Sequence, residues 1–284
     1  MNIFPEFTRE ELDKIRREAI DRDWEIAIND KNRFSNWYPK VKDIFLTPKS
    51  LIIPIDKDKE FEWLDEDLYP ENKIKELNER LEKIAKQELP KLGINPNEKL
   101  FVKTGVFSNK FAFDISCGCE NAGQLGSNFA NAFYGAMCVG CTPSAEIVVR
   151  EFIPNRLGRK HIYKGMCLHT EFRAFVGMNT KKVYDIVNYW DKSIVNQLYG
   201  DDKTTFIEQM DGIEIEFNAK KLELQTLIEE KIDMVNGLDG IWSMDFLYDG
   251  CNFWLIDMAF GPQSAYYSDL IKKGIVPEDG IDIE

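Results

Sequence analysis

The spacing of apolar positions changes character near residue 99. Before it, Ile74, Leu77, Leu81 and Ile84 recur at helical intervals on one face. That run stops at Pro90, which cannot donate the next helical hydrogen bond. An earlier helix starts at Thr8, whose spacing to Glu11 forms a capping box, and runs to about residue 28. Between the two helices, Asp43–Phe45 and Ser50–Ile55 (S-L-I-I-P-I) predict short strands, and Asp56–Asp67 predicts a charged linker. From residue 99 onward the pattern is that of strands: Lys99–Thr104, Glu146–Ile153, Glu171–Gly177, Lys182–Val187, Ile241–Tyr248 and Phe253–Met258. Two helices interrupt them. One is the small-residue stretch Gly126–Ala136; the other is Asn218–Val235, with Asn218 as N-cap and Leu224, Leu227 and Ile228 on one face. The acidic stretch Glu278–Glu284 predicts a solvated tail.

Composition narrows the class. With 284 residues, 44% of them apolar and 12% aromatic, the chain can bury a sizeable core, which excludes a disordered chain. Its 36 basic and 49 acidic side chains give a net charge of -13, which argues against broad nucleic-acid binding. The opening Met1-Asn2-Ile3-Phe4-Pro5-Glu6 has no basic region leading into an apolar one, and no apolar run is long enough to span a bilayer. The expectation is a cytoplasmic protein without a membrane partner, whose six cysteines stay reduced.

Candidate chemistry comes from charges placed inside apolar strands, where burial without a partner costs several kcal/mol. Lys103 lies in L-F-V-K-T-G, Arg150 in E-I-V-V-R-E-F-I, Arg173 in T-E-F-R-A-F-V, Asp245 in W-S-M-D-F and Asp257 in F-W-L-I-D-M. Three cations and two carboxylates suit a nucleoside triphosphate with its metal, since lysine and arginine neutralise phosphate while hard carboxylate oxygens hold magnesium. Interior Arg–Asp pairs that merely neutralise one another are the plainer reading for any one of them. Asp249-Gly250 predicts a hairpin between the two aspartates. A two-residue loop would put Asp245 and Asp257 on opposite faces, so a shared metal requires an odd-numbered loop, Asp249–Cys251, with Gly250 or Cys251 in a left-handed bulge. Asp257 would then pair with Ser243 and sit diagonally from Asp245, at roughly 7 Å.

The order of these strands resembles the ATP-grasp superfamily over about residues 99 to 262: a lysine strand, a strand reading R-E-F-I, then E-F-R-A-F-V, then M-D-F followed twelve residues later by W-L-I-D-M. Within it, the chain looks most like the clade named for two arginines and a lysine, and like the family of the chaperone that assembles translation initiation factor two. The resemblance implies an α/β (α+β) fold with two lobes of mainly antiparallel sheets sandwiching ATP and Mg2+. Its parts would be an N-terminal α/β region (1–98), a central lobe (99–153) and a C-terminal lobe (154–284). It implies that Lys103 contacts phosphate and that backbone groups near Glu151, Phe152 and Ile153 hold the adenine edge. Arg150 and Arg173 reach phosphates or an acyl-phosphate, and Asp245 and Asp257 hold the metal. The activity implied is that of a carboxylate–amine ligase acting on small-molecule, peptide or protein substrates, in which Lys103, Arg150 and Arg173 are catalytic. An ATP-binding assembly chaperone is the alternative. Many relatives carry an asparagine two residues beyond the second metal carboxylate, where this chain has Ala259; Gln263 or Ser264 substitutes, or the second metal is held loosely, or nucleotide binding persists without catalysis. Nucleotidyl transfer through Lys103 fits less well, because Thr104-Gly105 follows it where such enzymes carry an aspartate and a glycine.

Other motifs are weaker. Cys117-Gly-Cys119 and Cys138-Val-Gly-Cys141 approach a four-cysteine zinc pattern, but small buried thiols are the commoner use; Cys167 and Cys251 read as core. His161 and His169 are the only histidines and read as strand or loop residues, although His169 shares a strand face with Glu171 and can line the cleft. Gly-x-Ser-x-Gly and Walker motifs are absent, which lowers serine hydrolase and P-loop readings. Phe34, Trp37 and Tyr38 can grip a substrate but more often form a core or interface cluster, and Arg156, Arg159 and Lys160 predict a solvated basic loop or a contact for an acidic substrate.

Overall fold

The computed structural model describes residues 8–65 and 71–282. Met1–Glu6, the end of the expected Asp56–Asp67 linker and the last two residues of the acidic tail lie outside them. The N-terminal elements are helices α1 (Arg9–Ile28) and α2 (Phe34–Val41), strand β1 (Ser50–Pro54), and helices α3 (Lys57–Asp65) and α4 (Glu71–Glu88). Then come β2 (Leu100–Thr104), α5 (Phe113–Ser116), β3 (Gly118–Cys119), α6 (Leu125–Cys138) and β4 (Glu146–Glu151). After the short strands β5 (His161–Ile162) and β6 (Met166–Cys167), the chain forms β7 (Thr170–Gly177), β8 (Val183–Asn188), α7 (Gly200–Lys231), β9 (Ile241–Tyr248), β10 (Phe253–Phe260) and α8 (Tyr267–Lys272).

Two four-stranded sheets result, ordered β1-β4-β2-β3 and β10-β9-β7-β8, and every pairing described in them is antiparallel. This is the mixed α/β, antiparallel architecture expected. One face of the first sheet, with Val102, Ile147 and Val149, packs on Leu77 and Leu81 of α4 and Phe129 and Phe133 of α6. One face of the second, with Phe172, Ala174, Met244 and Phe246, packs on Phe217, Leu224 and Ile228 of α7 and on Trp37 and Val41 of α2. Because side chains alternate across a strand, the opposite faces carry the charges: Lys103 and Arg150 on the first sheet, Arg173, Asp245 and Asp257 on the second.

Thr8 and Glu11 form the expected capping box, and α1 ends where the sequence places it. Several local expectations fail for identifiable reasons. Asp43–Phe45 is a turn continuing off α2, with Phe45 N–H donating to Val41 O at 2.9 Å. The charged linker contains α3, whose buried Trp63 packs against Phe129 and Phe133 of α6. Asn218 does not cap a helix; it lies inside the 32-residue α7. The stripe Phe206, Ile213, Phe217, Leu224 and Ile228 is buried along its whole length, a helical spacing that the acidic residues around it disguise in sequence. The acidic tail is not wholly solvated: Asp282 is buried and accepts hydrogen bonds from Asn179 N–H, Thr180 N–H, Thr180 O–H and Tyr184 O–H.

Candidate functional site

The charged faces of the two sheets meet across a cleft. Lys103, 2% exposed, reaches from β2 to β10 and places Nζ 3.2 Å from both carboxylate oxygens of Asp257. Asp257 opens onto the cleft, its side chain 40% exposed. Burial alone would raise its pKa, but Lys103, Arg150 and Lys110 override this and hold the carboxyl below the usual range.

Arg150 is buried beside this pair. Its Nη1 donates to Ile256 O at 2.7 Å, and its guanidinium lies 5.4 Å from the ring centre of Phe34. Lys103 Nζ lies 5.7 Å from the same ring, so Phe34 forms a cation–π floor under both cations. The aromatic cluster Phe34, Trp37 and Tyr38 is buried in the core where the two sheets meet, as expected. Arg150 Nε and Nη2 are buried without a hydrogen-bond partner. Two unsatisfied guanidinium donors are costly unless an anion completes them, and burial pulls the Arg150 pKa down despite Asp257.

On the second sheet Arg173, Asp245 and Asp257 form one row, with Arg173 opposite Asp245 and Asp245 opposite Asp257. The register differs from the expected one. The β9–β10 loop has four residues, Asp249–Asn252, Phe253 pairs with Tyr248, and a bulge at Ile256 then brings Asp257 level with Asp245 rather than with Ser243. A four-residue loop alone would separate the carboxylates by face; the extra residue in the bulge reverses that. Gly250 does adopt the left-handed conformation, φ +98°. Asp249 fixes the loop by accepting from Cys251 N–H and Asn252 N–H at 2.8 Å and from Trp254 Nε1–H at 2.9 Å. Arg173 grips Asp245 in a bidentate pair at 2.8 and 2.7 Å.

One cavity gathers Lys103, Arg150, Glu151, Phe152, Ile153 and Asp257. Its cationic end holds Lys103, Lys110 and Arg150; elsewhere it is walled by apolar side chains such as Phe101, Phe113, Phe152, Met166 and Leu247. Arg173 and Asp245 stand beside it, in the row that Asp257 ends. The residues present fit a triphosphate: orphaned guanidinium N–H groups and lysines for phosphate, aspartates for a divalent ion, and an apolar wall for a base.

Sequence reasoning missed Lys110 and Glu171. Lys110 follows β2 outside any strand pattern, yet it is half-buried in the cleft, 3.7 Å from Glu171 and 4.9 Å from the Tyr189 ring centre. Burial opposes its charge, but Tyr189, Glu171, Asp245 and Asp257 outweigh burial and raise its pKa. Glu171 is raised by burial against the pull of Lys110, and its Oε2 accepts no hydrogen bond. His169 also lines the cavity, 3.6 Å from Cys167 Sγ, and burial lowers its pKa.

The cysteines do not converge. Cys117 and Cys119 are buried, Cys138 is exposed and Cys141 half-buried, and among the described residues no group of three or more His, Cys, Asp or Glu side chains is placed to hold a metal. Cys251 is exposed rather than core, at the tip of the β9–β10 loop. The basic loop is paired within the chain, Arg156 with Asp249 at 3.4 Å and Arg159 with Glu216 at 2.9 Å. No described helix is long and apolar enough to cross a membrane.

No protein-family profile matches the chain, and no curated protein does. Among solved structures, Cdc123 from Schizosaccharomyces pombe is similar at 22% identity and a TM-score of 0.51, over 85% of this chain and 90% of that one. The fold is that of Cdc123. A C-terminally truncated Cdc123 matches equally, at 22% identity and a TM-score of 0.51 over 84% of this chain and 89% of that one. A looser likeness, 12% identity and a TM-score of 0.39, is to the biotin carboxylase domain of 2-oxoglutarate carboxylase from Hydrogenobacter thermophilus, in complex with MgADP; it covers 83% of this chain and 40% of that one. Cdc123 is thus a neighbour in fold, in line with the second resemblance read from the sequence.

Proposed function

We propose that the cleft binds ATP with magnesium and that the protein uses it as an ATP-grasp-type ligase, activating a carboxylate as an acyl-phosphate for capture by an amine or similar nucleophile. The observation that carries the nucleotide reading is the meeting of Lys103 and Asp257 beside the two unpartnered N–H groups of Arg150. Lys103 and Arg150 come from the first sheet and contact phosphate oxygens; Arg173, on the second, neutralises charge on the transferring group. Asp245 and Asp257 hold the metal, which neutralises phosphate charge when bound. Backbone groups of Glu151, Phe152 and Ile153 take the adenine edge. No protein nucleophile is needed, in keeping with the buried, high-pKa thiols of Cys117 and Cys167.

A second reading is an ATP-binding assembly chaperone. The sequence resemblance to the initiation-factor chaperone favours it, as does the plain methyl group that Ala259 places in the row next to Asp257. The two readings separate in one assay of phosphate and ADP release. A ligase releases phosphate only when a carboxylate donor and an amine acceptor are both present; a chaperone binds ATP, shows no acceptor-dependent release and retains a defined protein partner.

A further inference from the structure

The arrangement of oxygen donors on the second sheet sets how many metal ions the cleft can take. Asp245 and Asp257 stand opposite one another; Arg173 takes one bond to each oxygen of Asp245 and Lys103 one to each oxygen of Asp257, which leaves each carboxylate a lone pair for a cation. The next position on the same face of β10 is Ala259, opposite Ser243. Ser243 Oγ and Ser264 Oγ lie 2.6 Å apart, so one hydroxyl donates to the other and the acceptor donates in turn to its nearby carbonyl, Ala259 O or Phe260 O, each at 3.3 Å. These hydroxyls are committed to each other and to backbone carbonyls. Gln263 is drawn off to Asn32, whose amide hydrogen-bonds to its Oε1. Among the described residues no group of three or more His, Cys, Asp or Glu side chains is placed to hold a metal; Glu171 lines the same cavity but lies against Lys110, at 3.7 Å.

Two-metal sites flank the reacting phosphate symmetrically and draw on several carboxylates, whereas magnesium held by one or two carboxylates relies on phosphates and water for its remaining ligands. Positive charge is supplied here by the protein. Lys103, Lys110 and Arg150 line the cavity, and Arg150 keeps two buried N–H groups without partners. We infer that this cleft takes a single divalent cation with its triphosphate, held by Asp245 and Asp257, and that the side-chain cations do the neutralising work of a second. The inference rests on the nucleotide reading above.

Equilibrium dialysis of the full chain against Mn2+ and adenosine 5′-(β,γ-imido)triphosphate tests it, with bound manganese and bound nucleotide counted separately as the difference between compartments. The expected ratio is one manganese per bound nucleotide. Nucleotide retained with two manganese ions overturns the single-cation inference while leaving the nucleotide reading intact; no retained nucleotide overturns both. Ala259→Asn, which adds an oxygen donor beside Asp257, is expected to raise the ratio toward two. A ratio that stays at one in this variant, with nucleotide bound, overturns the assignment of the limit to Ala259.

Discussion

Lys103 and Asp257, 154 residues apart in sequence, join the two sheets through an ion pair of 3.2 Å to each carboxylate oxygen. A triphosphate and its metal need the same two groups, the cation for phosphate and the carboxylate for the metal. The pair therefore ties the two sheets together, and under the proposed function it is exchanged for ligand contacts on binding. Asp257→Ala leaves the ammonium of Lys103 buried and unpaired, which costs on the order of 1–3 kcal/mol. Urea denaturation of the ligand-free variant is expected to show that loss, and Lys103→Met/Asp257→Ala together a smaller one than Asp257→Ala alone. Equal stability of native and single variant contradicts the ion pair's role.

Arg150 supplies the second test. Arg150→Lys keeps a charge but removes the fork whose Nε and Nη2 await a partner. Losing one charge-assisted hydrogen bond of about 1.5–3 kcal/mol weakens Mg·ATP binding roughly ten- to a hundredfold. Calorimetric affinities of native and variant check it; an unchanged Kd would place those two N–H groups away from the phosphates.

Asp249 controls where Asp257 stands, because it pins the loop that precedes the bulge at Ile256. Burial would raise its pKa, but Trp254, the Asn252 and Cys251 N–H groups and Arg156 together lower it. A carboxyl lowered from an unfolded value of about 3.9 contributes stability above that value and loses it as pH falls through the folded one. Asp249→Ala is expected to cost about 1–3 kcal/mol at pH 7, and the gap to native is expected to narrow below about pH 4. A gap independent of pH contradicts the ionised role of Asp249.

The thiols give a readout of packing. Cys138 and Cys251 are exposed, whereas Cys117, Cys119 and Cys167 are buried, with burial pushing Cys117 up to about 11 and Cys167 up to about 12. Ellman's reagent is expected to modify Cys138 and Cys251 fast and the buried thiols only on unfolding. A chelator is expected to leave the thermal midpoint unchanged; a large fall would show a four-cysteine metal site.

These sites differ in how far the sequence discloses them. Lys103, Arg150, Arg173, Asp245 and Asp257 stand out because a charge inside an apolar strand breaks the local pattern, but the face of Asp257 depends on the loop and bulge before it. Lys110 does not stand out, since a lysine outside the strands is unremarked until the fold brings it against Glu171. The bulge at Ile256 is equally silent: nothing in W-L-I-D-M marks the extra residue, and the register that aligns Asp257 with Asp245 is set by the hydrogen bonds of the whole hairpin. Asp282 reads as a tail residue because its four donors lie about a hundred residues away.

Isothermal titration of Mg·ATP into the native protein and into Lys103→Met and Asp257→Asn, each shown to be folded by circular dichroism, is the most direct test that one triphosphate unites the two charged faces. Saturable one-site binding by the native chain, lost in both variants, is the predicted result. Absence of native binding, or native affinity retained in either folded variant, would contradict it.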